Sequence, residues 1–411
     1  MLNIAILGFG NIGSGVADVF IENESVITRK MGDIVNIKYF LDIADRSGHI
    51  LSDRQVRDFD IIINDPDISL IVETIGGCRA AFNFTKAALE KGISVVTSNK
   101  ELVATHGAEL LKIASDTGAR YFFEASVGGG IPIIRPLHNC LAANKINQIA
   151  AILNGTTNFI LTKMSSENWD FDFALKTAQQ LGYAEADPSD DIDGKDSCRK
   201  ICILSSLAFG RQLPPEKVYT EGIRNITLDD IRNAEKIGFK IKLIAKSKQI
   251  EDFLYVIVAP MLVPRSSPLY NIDDVFNGIV VTGNAIGDVM FYGRGAGKLP
   301  TASAVAADVM DALAKHTKNI TWEVSDGSYV SDSKNLPVKY YIRAAFNSDS
   351  VGQNEAFDLI SNIIPEADTY KSSQEKELFF ITDELNESEL NKKINLLFDS
   401  GLNILAKIRI L

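Results

Sequence analysis

Three glycines near the start of the chain constrain its fold more than any other feature. Gly8, Gly10 and Gly13 follow the apolar segment IAIL and precede the helix-like segment GVADVFIENES. Glycines at this spacing permit a tight turn and let the backbone approach a pyrophosphate at a helix N-terminus, where unpaired N–H groups favour an anion. A motif of this kind is weak evidence alone, but its place between a strand and a helix predicts a dinucleotide-binding turn.

Apolar and helix-like segments alternate over the first 130 or so residues. The apolar runs that predict strands are IVNIKYFL, DIIIN, SLIVETIGG, ISVVTSNK and ARYFFEASVGGG. Helix-like segments such as AAFNFTKAALEKG end at glycine, a common helix stop. Strands that alternate with helices predict a mostly parallel sheet with helices packed on it.

The pattern changes after Gly130 to a mixture of strands and helices. INQIAAILNGTTNFILTKM predicts a strand, a polar loop and a helix, and YAEADPSDDIDG predicts irregular structure. FLYVIVAPMLVP and NGIVVTG predict strands of a second sheet, and GRGAGKLPTASAV opens a long helix that we expect to return to the first domain. After a polar stretch, the last 75 or so residues predict the order strand, helix, strand, strand, helix, strand.

Composition excludes several classes of partner. The formal net charge is -11 and no long basic tract is present, which argues against nucleic acid and anionic membrane surfaces. No apolar run reaches the roughly 18 residues of a membrane span, and the chain opens as a strand rather than a signal peptide. The four cysteines form no disulfide or zinc framework, so a reducing cytoplasm is expected.

Three further segments contain polar residues that could act on a ligand. In TSNKELVA, Lys100 follows a predicted strand, where ligands of such sheets bind, although many lysines at helix starts are merely solvated. Asp196 and Lys200 lie four residues apart and share a helix face, either as a surface ion pair or as functional groups. The loop EASVGGGI is either a flexible turn or a loop whose carbonyls hold a cation.

Together these segments resemble the homoserine dehydrogenase family over about residues 3–315. The resemblance is carried by GFGNIGSGV, TSNKELVA, FEASVGGGIPII, ILNGTTNFIL, LGYAEADPSDDIDGKDSCRKICIL and YGRGAGKLPTASAV. It implies an NAD(P)-dependent oxidoreductase that interconverts L-aspartate 4-semialdehyde and L-homoserine in threonine and methionine biosynthesis.

The resemblance also implies an α/β architecture of several domains. We expect a Rossmann nucleotide-binding domain over residues 1–135 and 300–320, and an α+β substrate and dimerisation domain over 136–299. A linker over 321–337 would lead to a C-terminal βαββαβ domain over 338–411. That tail resembles an ACT domain, but its first loop, NSDSVGQNEAF, lacks the usual Pro-Gly. An open sheet in the middle domain predicts at least a homodimer.

Site residues follow from the resemblance, position by position. Lys200 matches the proton donor and Lys100 the second active-site lysine. Glu185 and Asp196 match residues that hold the substrate ammonium group, and Gly182 lies where cofactor and substrate meet. The residues expected around the cofactor are Gly8, Phe9, Gly10, Asn11, Ile12, Gly13, Asp42, Thr74, Ser98, Asn99, Lys100, Gly182, Glu185, Gly295 and Gly297. The residues expected around a monovalent cation, most simply sodium, are Glu124, Val127, Gly129 and Ile131.

The coenzyme preference depends on the residue at the end of the second strand. Asp42 follows the apolar part of NIKYFLDIADRSG, and an acid there accepts hydrogen bonds from ribose hydroxyls and repels a 2′-phosphate. This favours NAD over NADP. Arg46, four residues later, would reverse the preference if it reached the phosphate.

Two other functions remain open at this point. A phosphorylating semialdehyde dehydrogenase would need a cysteine nucleophile with a nearby base, for which Cys140 in LHNCLAANK is the candidate. A sensor of nucleotides or amino acids, without turnover, would use the tail domain alone. The set of Lys100, Glu185, Asp196 and Lys200 argues for the enzyme.

Overall fold

The computed structural model describes residues 1–314, 318–346 and 352–411. Residues 347–351, which belong to the tail loop without Pro-Gly, lie outside this described part. The chain divides into two compact units. The first contains residues 1–146, 199–217 and 282–327, and the second contains 147–198, 218–281 and 328–411. In the described ranges, none of the helices combines the length and the apolar character needed to span a bilayer.

The strands are β1 (Leu2–Leu7), β2 (Val35–Leu41), β3 (Gln55–Val56), β4 (Ile68–Glu73), β5 (Ser94–Thr97), β6 (Tyr121–Phe122), β7 (Ile146–Ile152), β8 (Tyr219–Thr220), β9 (Phe239–Ile250), β10 (Phe253–Pro264), β11 (Phe276–Gly283), β12 (Gly287–Arg294), β13 (Val330–Ser331), β14 (Tyr340–Phe346), β15 (Asp368–Lys371), β16 (Glu377–Ile381) and β17 (Leu402–Ile410).

The helices are α1 (Asn11–Glu22), α2 (Glu24–Met31), α3 (Phe59–Ile63), α4 (Arg79–Glu90), α5 (Lys100–Thr117), α6 (Gly155–Glu167), α7 (Phe171–Gln180), α8 (Ser189–Ile192), α9 (Lys195–Phe209), α10 (Leu228–Lys236), α11 (Lys298–Leu313), α12 (Gln353–Ile363) and α13 (Glu387–Asp399).

A six-stranded parallel sheet forms the centre of the first unit. Its order is β3-β2-β1-β4-β5-β6, and the adjacent pairs run parallel. The apolar runs predicted as strands fill β1, β2, β4 and β5, whose inner residues are buried. The strand order reverses between β1 and β4, because β2 and β3 extend the sheet on one side of β1 and β4 to β6 extend it on the other. Ligands of such sheets bind at the carboxyl ends of the strands that flank this point. The predicted parallel Rossmann-type sheet is therefore confirmed.

One predicted strand is wrong. DIIIN lies in α3, which begins after Asp58 because the Asp58 carboxylate accepts a hydrogen bond from the Asp60 N–H and caps the helix. Periodicity does not separate a short apolar helix from a buried strand, so the cap decided the outcome.

The long helix α11 returns to the first unit, as the sequence predicts. It packs beside α1 at Gly15, where a Cβ would lie 2.9 Å from the Lys298 side chain. The close approach explains why glycine stands at this position of α1.

A mixed sheet forms the centre of the second unit, in the order β11-β7-β9-β10-β17-β14-β16-β15. β9 and β10 form a long antiparallel hairpin, and β17 pairs in parallel with β10 at Met261–Arg409 and Leu262–Ile410. The predicted second sheet is therefore confirmed. The last strand of the tail hydrogen bonds to a strand that precedes the predicted linker.

The tail follows the predicted order of strand, helix, strand, strand, helix, strand. Helices α12 and α13 cover β14 and β16 with a core that includes Tyr340, Ile342, Ile360, Phe380, Leu390 and Leu397. Arg343 of β14 pairs with Asp230 of α10 at 2.8 Å, and the Asp230 side chain is fully buried. A buried ion pair and a shared sheet thus join the tail to earlier parts of the second unit.

Two segments predicted to be irregular contain ordered elements. In YAEADPSDDIDG, the four-residue helix α8 follows Pro188, so the prediction of irregular structure is wrong there. Within residues 321–337, Trp322 is buried in the first unit, and β13 pairs with β10 in the second.

Candidate active site

The glycine turn lies at the carboxyl end of β1 and leads into α1. Gly8 has a φ of +86°, which residues with a Cβ rarely adopt. A Cβ on Gly13 would lie 2.0 Å from the Gly8 carbonyl oxygen, so α1 packs directly on the end of β1. A Cβ on Gly10, which precedes α1, would meet nothing within 4 Å. The N-terminus of α1 therefore faces open space at the point where the strand order of the sheet reverses, an arrangement that suits an anion.

An open cleft lies beside the first turn of α1. Phe9 is buried at its edge, where its ring stacks on Phe40 with centroids 3.9 Å apart. Asn11, the first residue of α1, is exposed, and Ile12 beside it is half-buried. Of the residues predicted around the pyrophosphate, Phe9, Gly10 and Asn11 line the cleft. Its lining is Phe9, Gly10, Asn11, Ser14, Asp18, Asp45, Arg46, Gly48, His49 and Lys298.

Asp42 follows β2 and holds two neighbouring segments. Its carboxylate accepts hydrogen bonds from the Phe9 N–H at 3.1 Å and the Ala44 N–H at 2.9 Å. It also forms an ion pair with Arg46 at 2.9 Å. Partial burial works to raise the pKa of Asp42, but the hydrogen bonds from Ala44 and Arg46 outweigh it and hold the pKa below its usual value.

The loops after β4 and β5 lie at the same edge of the sheet. The Thr74 hydroxyl donates to the Gly8 carbonyl oxygen at 2.7 Å, which ties the loop after β4 to the glycine turn. Ser98 and Asn99 follow β5, and the Asn99 side chain caps α5 by accepting from the Leu102 N–H at 3.0 Å. Lys100 is the first residue of that helix and is half-buried. Four residues predicted around the cofactor thus follow neighbouring strands at one edge of the sheet, namely Thr74, Ser98, Asn99 and Lys100.

Glu124 is buried, and its carboxylate is occupied by hydrogen bonds. Its oxygens accept from the backbone N–H groups of Ile133, Ile134 and Arg135 at 2.6 to 2.9 Å. The Arg135 guanidinium lies 3.3 Å away. The side chain of Glu124 therefore organises the start of the segment that follows the glycine loop.

Main-chain carbonyls remain available in the glycine loop. Among the described residues, no hydrogen bond reaches the carbonyl oxygens of Val127, Gly129 or Ile131, whereas that of Gly128 accepts from the Ile131 N–H. Val127 and Ile131 are buried, and buried carbonyls without partners are uncommon. Across the described part of the chain, no cluster of acidic, histidine or cysteine side chains is fit to hold a metal ion. A cation here would therefore depend on carbonyl oxygens, for which the loop is suited.

The glycine loop packs against the loop that precedes α11. A Cβ on Gly129 would lie 2.5 Å from the Gly295 carbonyl oxygen, and one on Gly130 would lie 2.8 Å from Pro300. Gly297 has a φ of +119° and stands just before α11. The predicted cation and nicotinamide residues Gly129, Gly295 and Gly297 are thus neighbours within the first unit.

In the second unit, Asp196 is held by Asn154. The Asn154 amide donates to the Asp196 carboxylate at 2.9 Å and to Asp191 at 2.7 Å, while its oxygen caps α6. Asp196 is 2% exposed, and Lys200, one turn later on α9, is 8% exposed. Both side chains are therefore more buried than a surface ion pair would be.

Gly182 and Glu185 lie in the loop after α7. Gly182 has a φ of +73°, and its N–H donates to the Gln179 carbonyl oxygen. The Gln179 side chain in turn donates to the Glu185 carbonyl oxygen at 3.1 Å. The Thr156 hydroxyl donates to the Tyr183 carbonyl oxygen at 2.6 Å, so this loop is tied to the start of α6. The Glu185 side chain is exposed.

Sequence reasoning missed two residues that hold the site together. Asn154 stands between an apolar strand and a helix, and this placement is the usual signal of a helix cap. Glu73 interrupts the apolar run SLIVETIGG and is fully buried. In each case a polar residue at the end of a buried strand was the available signal.

Comparisons with known proteins identify the relatives of the chain. The family model of homoserine dehydrogenase matches residues 132–310, and the model of its NAD-binding domain matches residues 8–124. A homoserine dehydrogenase of Lactococcus lactis is 36% identical over 86% of this chain and 84% of its own length. One of Synechocystis is 42% identical over 76% of this chain and 73% of its own length.

Solved structures agree with these matches. A homoserine dehydrogenase from Thiobacillus denitrificans has a TM-score of 0.90 at 33% identity, covering 100% of this chain and 98% of its own. A homoserine dehydrogenase of S. aureus has a TM-score of 0.83 at 31% identity, with the same coverage. A hyperthermophilic archaeal homoserine dehydrogenase in complex with NADPH has a TM-score of 0.67 at 32% identity, covering 78% and 99%.

Two glycine substitutions should distinguish the two roles of the glycine turn, which are to let α1 pack on β1 and to let the coenzyme approach the backbone. Gly13→Ala places a methyl group against the Gly8 carbonyl oxygen, so it should lower the melting temperature of the free protein. Gly10→Ala meets no atom in the protein and should leave the melting temperature unchanged, while weakening NADH binding, measured by fluorescence titration, by about tenfold or more. Unaltered NADH binding by a folded Gly10→Ala protein would contradict this assignment of the turn.

Proposed function

The chain belongs to the homoserine dehydrogenase family and is an NAD(P)-dependent oxidoreductase, and we propose that Lys100 and Lys200 enable it to interconvert L-homoserine and L-aspartate 4-semialdehyde. The observation that carries the proposal is the position of Lys100. It opens α5 directly beyond β5, at the sheet edge that also bears the glycine turn, and Asn99 hydrogen bonds to Gly77 of the adjacent loop. The glycine turn is where a dinucleotide would fit, because Cβ atoms at these positions would keep its pyrophosphate away from the backbone.

The two lysines act on charge that develops at the substrate oxygen. The bound coenzyme supplies or accepts the hydride. Reduction of the aldehyde builds negative charge on its oxygen, which a lysine ammonium stabilises. Lys200 then donates its proton to that oxygen, or accepts the hydroxyl proton in the reverse direction. Lys100 provides a second positive charge.

Carboxylates bind the ammonium group of the amino-acid substrate. Asp196 and Glu185 take this role, since a charged carboxylate makes strong hydrogen bonds to an ammonium group. The Asn154 amide supports the role of Asp196 because its hydrogen bond orients the carboxylate. Gly182 contributes backbone rather than a side chain.

The family assignment favours this reaction over the two alternatives. Cys140, the candidate nucleophile of a phosphorylating enzyme, is exposed at the end of the segment Pro136–Cys140. A sensor without turnover does not account for the matches to dehydrogenases along both family models. The direct test is a spectrophotometric assay of homoserine with NAD and with NADP at alkaline pH, in which absence of reduced coenzyme would refute the proposal.

A monovalent cation such as sodium would bind the glycine loop. The support is the set of carbonyl oxygens of Val127, Gly129 and Ile131, which have no hydrogen bond among the described residues. Hard cations prefer oxygen ligands, and glycine lets the backbone turn its carbonyls inward. Thallium-soaked crystals without an anomalous peak at this loop would exclude it.

The preference for NAD over NADP is supported by the charges around the cleft. Arg46 pairs with Asp42, and Lys298 pairs with Asp18 at 2.6 Å. Asp45 adds a third carboxylate. Without counting His49, the two cations Arg46 and Lys298 lie among three carboxylates. The surroundings of the cleft therefore have no excess of positive charge that would bind a 2′-phosphate.

A homodimer and a cytoplasmic location complete the proposal. β12 presents partly uncovered apolar side chains, with Tyr292 54% exposed, as a surface that a second copy could cover. Sedimentation equilibrium at the mass of one chain would exclude the dimer, and fractionation of the source cell tests the location.

Removal of either lysine should strongly lower turnover without abolishing coenzyme binding. Lys200→Ala and Lys100→Ala should each lower kcat by about 10²-fold or more, because both act on the transition state. Lys195→Ala on α9 and Lys112→Ala on α5 are matched controls, since both side chains are exposed. Turnover close to wild type in both active-site variants would contradict the assignment.

The Asp42–Arg46 pair should set the coenzyme preference. Asp42→Asn removes a negative charge and should raise the ratio of kcat/KM for NADP to that for NAD by roughly tenfold, equivalent to about 1.4 kcal/mol. Arg46→Ala should change the ratio in the opposite direction. Asp53→Asn is the control, because Asp53 is exposed and the hydrogen bonds from Phe9 and Arg46 are made to Asp42 instead. A wild-type enzyme that favours NADP tenfold would show that Asp42 does not govern the choice.

The tail should be a regulatory domain that is dispensable for chemistry. A chain ending at Asn335 loses Arg343, the ion-pair partner of Asp230, together with Tyr341, which also contacts that carboxylate. The truncation should therefore be made together with Asp230→Asn, with full-length Asp230→Asn as the reference. We expect a lower urea midpoint and a kcat within a few-fold of the reference. A folded, dimeric product without activity would contradict independence.

A further inference from the structure

Glu73 is a buried carboxylate at the end of β4, beneath the loops that carry the predicted nicotinamide residues. Its side chain is fully buried. One carboxylate oxygen accepts the Thr97 hydroxyl at 2.5 Å, and the other accepts the Ile75 N–H at 2.6 Å. Glu73 thus contacts both the strand β5 and the loop that follows β4.

These contacts close a ring of hydrogen bonds around the start of α5. The Thr97 hydroxyl oxygen accepts from the Asn99 N–H at 2.9 Å. The Asn99 side chain donates to the carbonyl oxygens of Ile75 at 3.3 Å and Gly77 at 2.7 Å. The chain of contacts therefore runs from Glu73 through Thr97 and Asn99 to Ile75 and back. Lys100 is the next residue after Asn99, so its backbone is anchored by this ring.

The donors that hold the Glu73 carboxylate are neutral groups, the Thr97 hydroxyl and the Ile75 N–H. In the described ranges 1–314, 318–346 and 352–411, no lysine, arginine or histidine forms an ion pair with Glu73. Burial raises the pKa of Glu73 to about 7, against the lowering effect of its hydrogen bonds with Thr97 and Ile75. The ionisable groups that face it are the hydroxyl of Tyr121 on β6 and the thiol of Cys78 before α4. Burial raises the pKa of both and favours their neutral forms, and neither group has a positively charged form that could compensate a carboxylate.

Protonation of Glu73 disturbs the ring because the direction of one hydrogen bond must change. The ionised carboxylate accepts from both Thr97 and Ile75. A protonated carboxyl must donate its own hydrogen, and Thr97, already an acceptor for Asn99, must then turn its hydroxyl hydrogen elsewhere. The buried site offers few alternative acceptors, so the turn from Thr97 to Lys100 loses support.

We propose that Glu73 is a positioning residue whose ionised carboxylate holds the Thr97–Lys100 turn and thereby couples coenzyme binding and the placement of Lys100 to pH. The inference rests on the proposed function of that turn. Glu73 acts through Thr97 and Asn99.

The first test compares NADH binding by the wild type and Glu73→Gln between pH 5.5 and 8.5. NADH is chosen because the 2′-phosphate of NADPH would itself titrate near pH 6. Wild-type affinity should rise about two- to tenfold as pH increases, the range of one hydrogen bond, with a midpoint near 7. Glu73→Gln should bind with the weaker, pH-independent affinity. The same midpoint in both proteins would overturn the proposal.

The second test moves the midpoint without touching Glu73. The Thr97 hydroxyl stabilises the carboxylate, so Thr97→Val should shift the binding midpoint to higher pH while Thr97→Ser should leave it in place. Tyr121→Phe is the matched control, because the Tyr121 hydroxyl has no hydrogen-bond partner among the described residues. An unshifted midpoint in Thr97→Val would count against the ring.

Stability should respond to pH in the opposite direction to binding. The pKa of Glu73 is about 7 in the folded chain, against 4.5 ordinarily, so its ionisation disfavours folding. The melting temperature of the wild type should therefore fall relative to Glu73→Gln as pH rises from about 4.5 to about 7 and level off above that, while NADH affinity rises. A merely structural role would make both quantities change together.

Lys100→Ala separates this inference from the proposed function. It should strongly lower turnover yet keep the pH dependence of NADH binding, because the ring remains intact. Retained turnover would refute the role of Lys100 but not the ring. Lost turnover with pH-independent binding by the wild type would refute the role of Glu73 alone.

Discussion

The close approach of α1 to the end of β1 is the contact on which the coenzyme half of the molecule depends. It exists because Gly13 has no Cβ to meet the Gly8 carbonyl oxygen, which a Cβ would approach to 2.0 Å. The sheet order places β4 beside β1, and the Thr74 hydroxyl fastens the next loop to the same carbonyl. The N-terminus of α1, the open cleft and two loops thus meet at the end of β1, because Gly8 and Gly13 have no side chains.

Buried carboxylates around the site are stabilised mainly by amides and hydroxyls. Glu124 accepts three backbone N–H groups, and Asp196 accepts the Asn154 amide. Such donors fix the direction of a carboxylate, and the loops that supply them are fixed in return. Glu73 belongs to the same pattern but has fewer donors than Glu124. Burial raises the pKa of Glu73 to about 7, so its hydrogen bonds depend on pH near neutrality.

The elements with clear periodicity were predictable, and those decided by a single side chain were not. The strands and helices of the first sheet and of the tail follow the apolar pattern closely. β9 was not predicted, although FKIKLIAKSKQI alternates lysines with apolar residues over part of its length, which is a signal of a strand. In the structure Lys242 of this strand is 2% exposed, and its ammonium group contacts the oxygens of Asn158 and Asp273. The sequence does not distinguish a buried, paired lysine from a lysine on the surface, and most lysines are exposed.

The sequence by itself determined the parallel sheet, the glycine turn, the second sheet and the family, because these depend on local periodicity and on motifs at fixed spacing. It also located Lys100 beyond a strand and Asp196 with Lys200 on one helix. Only the tertiary structure showed that Arg46 is paired with Asp42, that Asn154 orients Asp196, and that Glu73 lies under the turn before Lys100. These pairings join residues from separate elements, and their strength depends on distance and burial. Neither quantity can be read from sequence spacing, since both arise only when the strands are placed side by side.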